Sequence, residues 1–347
     1  MLQFTCKFFS AGCADVISIS FKDISGKTQH IFIDSGTETA YNLLRPELLA
    51  IADQGEEIGL WVVSHWDNDH ICGIIRVLQD NDIRSRLPIK QVWFNANYRM
   101  PHNSGATSGW IGLKEGALLR DMLQDELGVP SPVITTENPI IDELGLKFTI
   151  LSPSPEIYRE AIAKIKKRFP LGVKQWDHQQ KLELLAHLPS HLDRSPANRS
   201  SIAFLLEAGT YRMLLLADAS PLDLVEQLQK LGYSPQFPLQ IDWIKVPHHG
   251  SKRNISDALL ALIETDQFVF TADASTRHKL PDKEPIARIL CHPQRDYTRH
   301  IKLLFNHRNN QLERIFDVDG QDVFERLNFS VHFPAPQSNA LIITANV

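Results

Sequence analysis

The stretch Ser64-His65-Trp66-Asp67-Asn68-Asp69-His70-Ile71-Cys72-Gly73 concentrates side chains that can bind metal ions. His65, Asp67, Asp69 and His70 fall within six consecutive residues. The apolar run Leu60-Trp61-Val62-Val63 precedes them and predicts a buried strand. The polar cluster therefore lies at the carboxyl end of a strand, where open α/β sheets hold their ligands.

Four donors at this spacing favour two adjacent metal ions. A strand end followed by a turn lets His65 and Asp67 project to one side, while Asp69 and His70 reach a second position as the chain enters a helix. A polar turn with an Asp cap is the simpler alternative, because Asp and Asn are common in turns. A cap requires one such residue, however, and this stretch offers four metal donors.

The composition is that of an ordinary soluble globular protein. With 347 residues, 43% hydrophobic and 22% charged, the chain can bury one large core or two moderate ones. Its four cysteines contain no C-x-x-C pair, which argues against a disulfide framework or a cysteine zinc knuckle and fits a reducing cytoplasm. We expect neither secretion nor membrane anchoring, because the sequence has no signal-peptide pattern and no apolar run long enough to span a bilayer. The formal net charge of −5 argues against a broadly basic surface that coats nucleic acid, but allows a local basic patch.

The first half of the chain predicts a strand meander followed by alternating helices and strands. The predicted strands are residues 4–9, 16–21, 30–33, 58–63, 91–94, 133–136 and 146–151, and the predicted helices are 41–53, 68–78 and 114–127. Asp34 follows the third strand and precedes Gly36. It either caps a turn or hydrogen-bonds a metal-binding histidine from behind.

The segment 156–199 is the least regular part of the sequence, and we expect an insertion at 156–197. Its four basic residues, Lys164, Lys166, Lys167 and Arg168, could contact phosphates, although a solvated helix face is the commoner role for such a run. His187 and His191 stand one helical turn apart, a spacing compatible with a metal, but Pro189 between them weakens that helix. Ordinary surface histidines are the simpler explanation for both.

The second half predicts strands at 201–206, 213–217, 241–246 and 268–271, with helices at 221–231 and 255–263. Three of these strands end in side chains that bind metals or move protons. Asp218 follows the second strand, the His248-His249 pair follows the third, and His278 follows the fourth. A lone histidine at such a position is uninformative, and His278 could be a surface-loop residue, but the repetition indicates a site.

The motifs occur in a definite order: Asp34-Ser-Gly, His65-Trp-Asp67-Asn-Asp69-His70, Asn198-Arg-Ser-Ser, Asp218, His248-His249-Gly-Ser and His278-x-x-Pro281. This order resembles the metallo-β-lactamase fold hydrolases, and more closely their ComEC competence-nuclease branch. The opening Ala11-Gly12-Cys13-Ala14-Asp15 is similar to the G-x-G-D motif of that branch, and residues 143–153 are similar to its L-x-L-x-x-L-S-P strand. The resemblance covers residues 4–289. Stand-alone members of this branch occur in anti-phage operons with Avs-type STAND ATPases, and this chain is similar to them in length.

The resemblance implies two divalent metal ions, Zn²⁺ or Mn²⁺ with Mg²⁺ also allowed. His65 and Asp67 would hold the first ion, Asp69, His70 and His249 the second, and Asp218 would bridge them. His248 would face the substrate, although the sequence leaves open which histidine of the pair is the ligand. Asn198 stands where other branches have a third histidine for the first metal, and we expect it to contact substrate. The more familiar pattern has His at the position of Asp67 and Gly at that of Ala14.

The donor count itself favours phosphoryl chemistry. Two divalent cations outweigh the carboxylates of Asp67, Asp69 and Asp218, which leaves a cationic site that suits a phosphodiester. Gly250, Ser251 and the start of the helix predicted at 255–263 would offer backbone N–H groups to a phosphate, with charge added by Lys252 and Arg253. We expect three catalytic residues: Asp69, His248 and His278, the last as proton donor to the leaving group.

The sequence thus predicts an α/β protein of the metallo-β-lactamase type, an αβ/βα four-layer sandwich with two mixed sheets between helices. We expect one domain over 1–347, with extra edge strands at 292–347. The predicted function is that of a dinuclear metal-dependent phosphodiesterase, a nuclease in antiviral defence, with a STAND ATPase as the partner that the resemblance implies. Two alternatives stay open: a phosphodiesterase for nucleotides or choline-phosphate-type esters, favoured by the acidity of the chain, and a non-catalytic interaction subunit of a defence complex. The basic run at 164–168 favours the nuclease.

Overall fold

The computed structural model describes residues 3–95, 113–126, 128–164, 176–275 and 279–347. Sixteen strands are present in this part: β1 Gln3–Phe9, β2 Ile17–Lys22, β3 Thr28–Ile33, β4 Ile58–Val63, β5 Val92–Phe94, β6 Ile140–Glu143, β7 Leu146–Ser152, β8 Ala203–Ala208, β9 Tyr211–Leu215, β10 Leu239–Gln240, β11 Trp243–Lys245, β12 Ile263–Glu264, β13 Gln267–Phe270, β14 Ile301–Phe305, β15 Phe329–His332 and β16 Ala340–Asn346.

The helices in the same residues are α1 Tyr41–Asp53, α2 Asn68–Gln79, α3 Asn81–Arg86, α4 Leu113–Asp121, α5 Pro155–Lys164, α6 Leu182–Leu185, α7 Pro196–Arg199, α8 Pro221–Lys230, α9 Asp257–Leu260, α10 Lys283–Leu290, α11 Asn310–Glu313 and α12 Val323–Arg326. A π-helical turn, Met122–Glu126, continues α4, and 3₁₀ turns span Glu38–Ala40 and Asp317–Asp319.

Two mixed sheets carry this architecture. The six-stranded sheet has the order β16-β1-β2-β3-β4-β5 and becomes parallel from β3 onward. The eight-stranded sheet has the order β15-β14-β13-β11-β9-β8-β7-β6 and is parallel from β15 to β9. A small two-stranded sheet pairs β10 with β12. Of the strands in 292–347, β16 and β15 lie at the outer edges of the two large sheets, and β14 lies one position inside β15.

Central strands such as β4 and β8 are buried on both faces because each sheet packs against its partner on one side and against helices on the other. In β4, Leu60 and Val62 point into the core between the sheets, whereas Trp61 and Val63 point towards α1 and α2. This alternation follows from the two-residue period of a strand. A second helical layer, including α8 and α10, covers the outer face of the eight-stranded sheet. The result is the predicted four-layer sandwich.

Two predicted elements are wrong. Residues 133–136 form no strand, because the Asn95 side chain binds both polar groups of Ile134: its amide donates to the carbonyl at 2.7 Å and its oxygen accepts the N–H at 2.8 Å. The helix predicted at 255–263 shrinks to α9, because the chain beyond it extends into β12 to pair with β10.

Parts of the predicted insertion at 156–197 lie in the described residues as α5, α6 and the start of α7. Lys164 ends α5, and the other basic residues of the run, Lys166, Lys167 and Arg168, lie outside the described residues. No described helix combines the length and the apolar composition needed to cross a bilayer.

The contact between the two sheets gives a first prediction. Trp243 is fully buried, meets the ring of Phe8 edge-on at 5.3 Å, and donates its indole N–H to the Tyr211 hydroxyl at 2.9 Å. We expect Trp243→Ala to lower the free energy of unfolding by roughly 3–5 kcal/mol, because it leaves a large cavity between the sheets. The urea midpoint measures the loss. Phe237→Ala is the control, since that ring is 77% exposed, and its effect should stay within about 0.5 kcal/mol. Equal midpoints for the two variants would contradict the packing described.

Candidate metal centre

The candidate site lies where the strands of both sheets end. The six-stranded sheet delivers Asp34 after β3 and the stretch 65–70 after β4, and the eight-stranded sheet delivers Asp218 after β9 and the pair His248-His249 after β11. Because β3 and β4 are parallel, and β9, β11 and β13 are parallel, these carboxyl ends meet at one edge of each sheet. Two separate layers therefore contribute to one cluster.

The chain leaves several of these strands in the left-handed backbone region. Asp34 has φ 56°, Ala217 has φ 46°, and His248 and His249 have φ 49° and 53°. L-residues pay roughly 1–2 kcal/mol each for this conformation, so the surrounding contacts must hold them there. The histidine pair forms a left-handed turn, and both rings lie near Asp218, with Nε2 of His248 and of His249 3.5 and 4.0 Å from its carboxylate oxygens.

The ligands expected for a second metal lie together. The Nε2 atom of His249 is 3.3 Å from Oδ2 of Asp69, and Nε2 of His70 is 3.9 Å from the same oxygen. One donor atom from each of these three residues falls within 4.8 Å of the others. This grouping matches the set proposed from the sequence.

The donors expected for a first metal lie on the other side of His70. His65, His70 and Asp218 also bring one donor atom each within 4.8 Å. Asp67 stands at the opening, with its side chain 40% exposed and its Oδ2 3.7 Å from Nε2 of His65. Asp218 Oδ1 is 3.6 Å from Nε2 of His70 and 4.0 Å from Nε2 of His249, so it lies between the two groups.

The residues present fit a metal centre. Four buried atoms of this cluster have no hydrogen-bond partner among the residues that the structure describes: Nε2 of His65, His70 and His249, and Oδ1 of Asp218. Buried polar atoms are normally paired, because an unpaired one costs about 1–3 kcal/mol. Since these atoms converge on the same space and are nitrogen and carboxylate donors, divalent cations would satisfy all four at once.

Asp34 supports His70 from behind, which is one of the two roles that the sequence predicted for it. Its Oδ2 accepts the Nδ1 hydrogen of His70 at 2.8 Å, and its Oδ1 accepts the Ser64 N–H at 2.7 Å. This bond leaves Nε2 of His70 as the free donor atom. The helix that carries His70 also sits very close to the preceding loop, since a Cβ placed on Gly73 would lie 2.0 Å from the Ser35 carbonyl oxygen.

Asp15 lies behind His249, and sequence reasoning missed this role. Nδ1 of His249 donates to the Thr271 carbonyl at 3.0 Å, and Oδ1 of Asp15 lies 3.3 Å from the same nitrogen and accepts the Thr271 hydroxyl at 2.6 Å. Its Oδ2 accepts from the ammonium of Lys245, which also donates to the Ala217 carbonyl at 3.2 Å. Both Asp15 and Lys245 are buried. The resemblance of residues 11–15 to a known motif was the signal that could have identified Asp15; the single Lys in a buried strand was the signal for Lys245.

A polar network holds His248. The Asn254 amide nitrogen faces three oxygens, those of Asp193 Oδ2 and of the Asp218 and Ala219 carbonyls, at 3.0–3.3 Å. Its oxygen must therefore accept from Nδ1 of His248, at 3.0 Å. The other ring nitrogen, Nε2, points to Asp218 Oδ2 at 3.5 Å, and the ring is 27% exposed. His248 thus lies at the opening of the site.

The other residues expected to bind substrate are placed as follows. Asn198 is buried beside His248 and donates to Asp193 at 2.6 Å. The N–H groups of Ser251 and Lys252 are already used, since they donate to the His248 carbonyl and to Asp282 at 2.8 and 2.9 Å. Gly250 is tightly enclosed, because an added Cβ would lie 2.7 Å from Pro281. The helix start expected to hold a phosphate is also absent from this position, since α9 begins only at Asp257.

The electrostatics of the cluster reflect its crowded carboxylates. Burial lowers the pKa of the His249 imidazole, but the carboxylates of Asp15 and Asp218 outweigh it and raise that pKa to about 9. Burial also lowers the pKa of the His70 imidazole. The carboxylates of Asp34, Asp218 and Asp69 outweigh that effect, so the pKa of His70 lies well above its usual value. A metal ion must displace protons from such imidazoles, so metal binding and pH are linked.

The sequence singled out three further histidines. His278 lies outside the described residues. His187 and His191 are exposed, and the chain between them is not helical, as Pro189 suggested.

The Asp15–Lys245 ion pair gives a second prediction. We expect Lys245→Met to lower the free energy of unfolding by roughly 3–5 kcal/mol, because it leaves the Asp15 carboxylate buried without its cation. The double variant Asp15→Asn/Lys245→Met should recover most of that loss. Urea unfolding measures all three proteins. Lys230→Met is the control, since its ion pair with Glu226 is more than half exposed and should contribute about 1 kcal/mol or less. A loss at Lys245 no larger than at Lys230 would rule out this role for the pair.

The chain resembles several solved structures at low sequence identity. The Zn²⁺-bound PqqB of Methylobacterium extorquens is 13% identical, with a TM-score of 0.39, over 95% of this chain and 87% of that one. A long-form RNase Z from yeast is 12% identical, with a TM-score of 0.37, over 91% and 43%. The CmlA β-hydroxylase E377D mutant is 13% identical, with a TM-score of 0.41, over 99% and 54%, so this chain spans about half of that protein. Comparison with curated protein sequences found no significant match.

The sequence pattern of one family matches most of the chain. The match covers residues 24–270, which include β3, β4, β9, β11 and the cluster of histidines and carboxylates at their ends. The ordered motifs, the two facing mixed sheets and this match agree. The chain belongs to the metallo-beta-lactamase superfamily.

Proposed function

We propose that this protein is a dinuclear metal-dependent phosphodiesterase that cleaves nucleic acid. The observation that supports it best is the set of four unpartnered buried donor atoms on His65, His70, His249 and Asp218. A metal-free interaction subunit would leave these atoms unsatisfied, which argues against that form of the non-catalytic alternative. A hydrolase that binds metal ions gives each of them a partner.

The chain would hold two ions with two donor sets that share Asp218. His65 and Asp67 would bind the first, and Asp69, His70 and His249 the second. When bound, two divalent ions supply Lewis acidity, which activates water and offsets the charge of a phosphodiester. The Asp34 carboxylate behind His70, and the Thr271 carbonyl beside Asp15 behind His249, keep the Nε2 atoms of both rings directed at the metal positions.

His248 is the proposed contact to the substrate. The bond from its Nδ1 to Asn254 fixes the ring, and Nε2 faces Oδ2 of Asp218 at 3.5 Å, beside the metal positions. From there it can meet an oxygen of the phosphodiester. His278 remains a proposed proton donor to the leaving group, on the sequence pattern alone.

A phosphodiester substrate follows from charge. The three carboxylates at the metal positions carry less charge than two divalent cations, so the occupied site attracts an anion. The net charge of −5 favours a small ester as the rival substrate, since an acidic protein repels a polyanion at long range.

For the biological setting we propose antiviral defence in the cytoplasm, with a STAND ATPase as partner, on the resemblance of the ordered motifs to stand-alone ComEC-like proteins. The four cysteines all lie in the described residues and form no disulfide, which fits a reducing compartment. Co-purification with the products of neighbouring genes would test the partner.

A third prediction concerns the metal. Stripping metal should abolish hydrolysis of bis(p-nitrophenyl) phosphate and of an oligonucleotide, and Mn²⁺ should restore it best. The reason is the first donor set, which has one imidazole beside oxygen donors and is harder than a histidine-rich zinc site. Asp67→His should shift the preference towards Zn²⁺. A reconstitution series at fixed pH compares the two proteins.

Wild-type activity that is highest with Zn²⁺, or an unchanged ranking in Asp67→His, would remove Asp67 from the first metal position. Hydrolysis that survives complete metal removal would reject the proposed function.

The histidine pair gives a fourth prediction. His249→Ala should reduce bound metal to roughly one ion per chain, because it removes a ligand from the second set. His248→Ala should lower kcat by about 10²-fold or more at nearly full metal content, because it removes a contact to the reacting phosphate. Elemental analysis and steady-state kinetics on the same preparations separate the two effects. Equal metal loss in both variants would mean that His248 is a ligand as well.

A further inference from the structure

We infer that Arg194 and Arg253 form a subsite for the backbone phosphates of a polynucleotide, next to the phosphodiester that is cleaved. The inference rests on the proposed function, because it assumes that the metal centre takes one phosphodiester. It adds the residues that would bind the neighbouring phosphates of that substrate. A small ester has one phosphate, whereas a polynucleotide has neighbouring phosphates that need a second binding position.

The two arginines flank the residues that hold His248. Arg194 follows Asp193, and Arg253 precedes Asn254. The Asp193 N–H donates to the Arg253 carbonyl at 2.9 Å, so the two backbone segments run side by side. Asn254 and Asp193 both contact Nδ1 of His248, at 3.0 and 3.5 Å. The arginines are therefore one residue removed from contacts to the ring at the opening of the site.

Their side chains face outward. Asp193 and Asn254 are buried, whereas their chain neighbours Arg194 and Arg253 are exposed. Adjacent side chains on one backbone commonly alternate in this way between the interior and the solvent. Within the described residues, neither arginine forms an ion pair with a carboxylate. Most other described arginines do: Arg199 pairs with Asp223, and Arg288 with Glu284 and Asp257. The positive charge of Arg194 and Arg253 is thus available to a ligand.

The charges around the opening are arranged unequally. The six-stranded sheet contributes Asp67 and Asp69, whose side chains are partly exposed, and the segments beside His248 contribute Arg194 and Arg253. A polyanion that enters the site would meet repulsion on the first side unless metal ions cover it, and attraction on the second. Guanidinium groups suit this task, because they bind phosphate oxygens in pairs.

Because the overall charge is negative, binding of nucleic acid requires positive charge close to the site. At −5, the protein repels nucleic acid at distances beyond the reach of individual side chains. Unpaired cations beside the site would overcome that repulsion only at short range. Binding through them should therefore depend steeply on salt and carry no base preference.

The test is the binding of fluorescein-labelled single-stranded DNA and RNA of the same sequence, both with phosphorothioate linkages that resist cleavage. Anisotropy titrations with the metal-loaded protein are repeated over a series of salt concentrations. The variant is Arg194→Ala/Arg253→Ala. The control is Lys22→Ala/Lys302→Ala, which removes the same charge from two exposed lysines that form no ion pair in the described residues. Lys22 ends β2 opposite the start of β3, and Lys302 pairs with the first residue of β13, so both lie at the sheet ends away from the site.

We expect the arginine variant to bind both probes roughly tenfold more weakly at low salt. Its slope of log affinity against log salt should fall by about 1.4, since each lost phosphate contact on a single strand removes about 0.7. The control should keep the wild-type slope. Arg194→Lys/Arg253→Lys keeps the charge and should restore most of the slope, which separates a charge effect from misfolding.

An unchanged slope in the arginine variant, an equal loss in the control, or a wild-type protein that binds neither probe would overturn the subsite. Turnover of bis(p-nitrophenyl) phosphate by the wild type is read separately. If the small ester is cleaved but the probes are not bound, the subsite is wrong and the metal centre stands. If no ester is cleaved, the proposed function fails, and the salt slopes still decide whether the arginines bind a phosphate backbone.

Discussion

The buried ion pair between Asp15 and Lys245 is the interaction on which the site depends. Asp15 precedes β2 in one sheet, and Lys245 ends β11 in the other, 230 residues later. Moving two such charges out of water costs several kcal/mol each, and their attraction offsets this only when further hydrogen bonds complete the geometry. Thr271 and the Ala217 carbonyl provide those bonds. The pair therefore fixes the spacing of the two sheets directly beneath His249 and Asp218.

Around this pair, the protein accepts local instability to arrange its donors. Left-handed residues stand at Asp34, Ala217, His248 and His249, and buried donor atoms are left without partners in the same place. Each feature lowers stability when considered alone. They are tolerated because β4, β9 and β11 are buried on both faces, and the apolar layers hold these exits rigidly. The left-handed residues and the buried donor atoms without partners occur together, because this backbone conformation directs the metal-binding side chains into one space.

The sequence revealed the parts of this arrangement that are local. An apolar strand followed at once by His or Asp is visible in the order of residues, so His65, Asp69, His70, Asp218 and His249 could be identified. Asp193, Asn254 and Lys245 could not, because their partners are distant in sequence and each looks like an ordinary polar residue. The same limit explains the wrong elements: only the fold shows that Asn95 binds Ile134, or that residues beyond α9 must pair with β10. The left-handed turn at His248 could not be predicted from the sequence either, because glycine adopts that backbone conformation more readily than His does.

The division of the site between two sheets has a consequence for how the protein is made. The donors after β4 are synthesised early, whereas His249 and the Lys245 partner of Asp15 emerge much later. Neither donor set can be finished before the eight-stranded sheet has begun to form, and its long-range pairings are slow steps. During synthesis the early carboxylates and histidines are therefore an incomplete and weak chelator. Metal ions that bind these donor sets would therefore bind after translation, in competition with the other ions of the compartment.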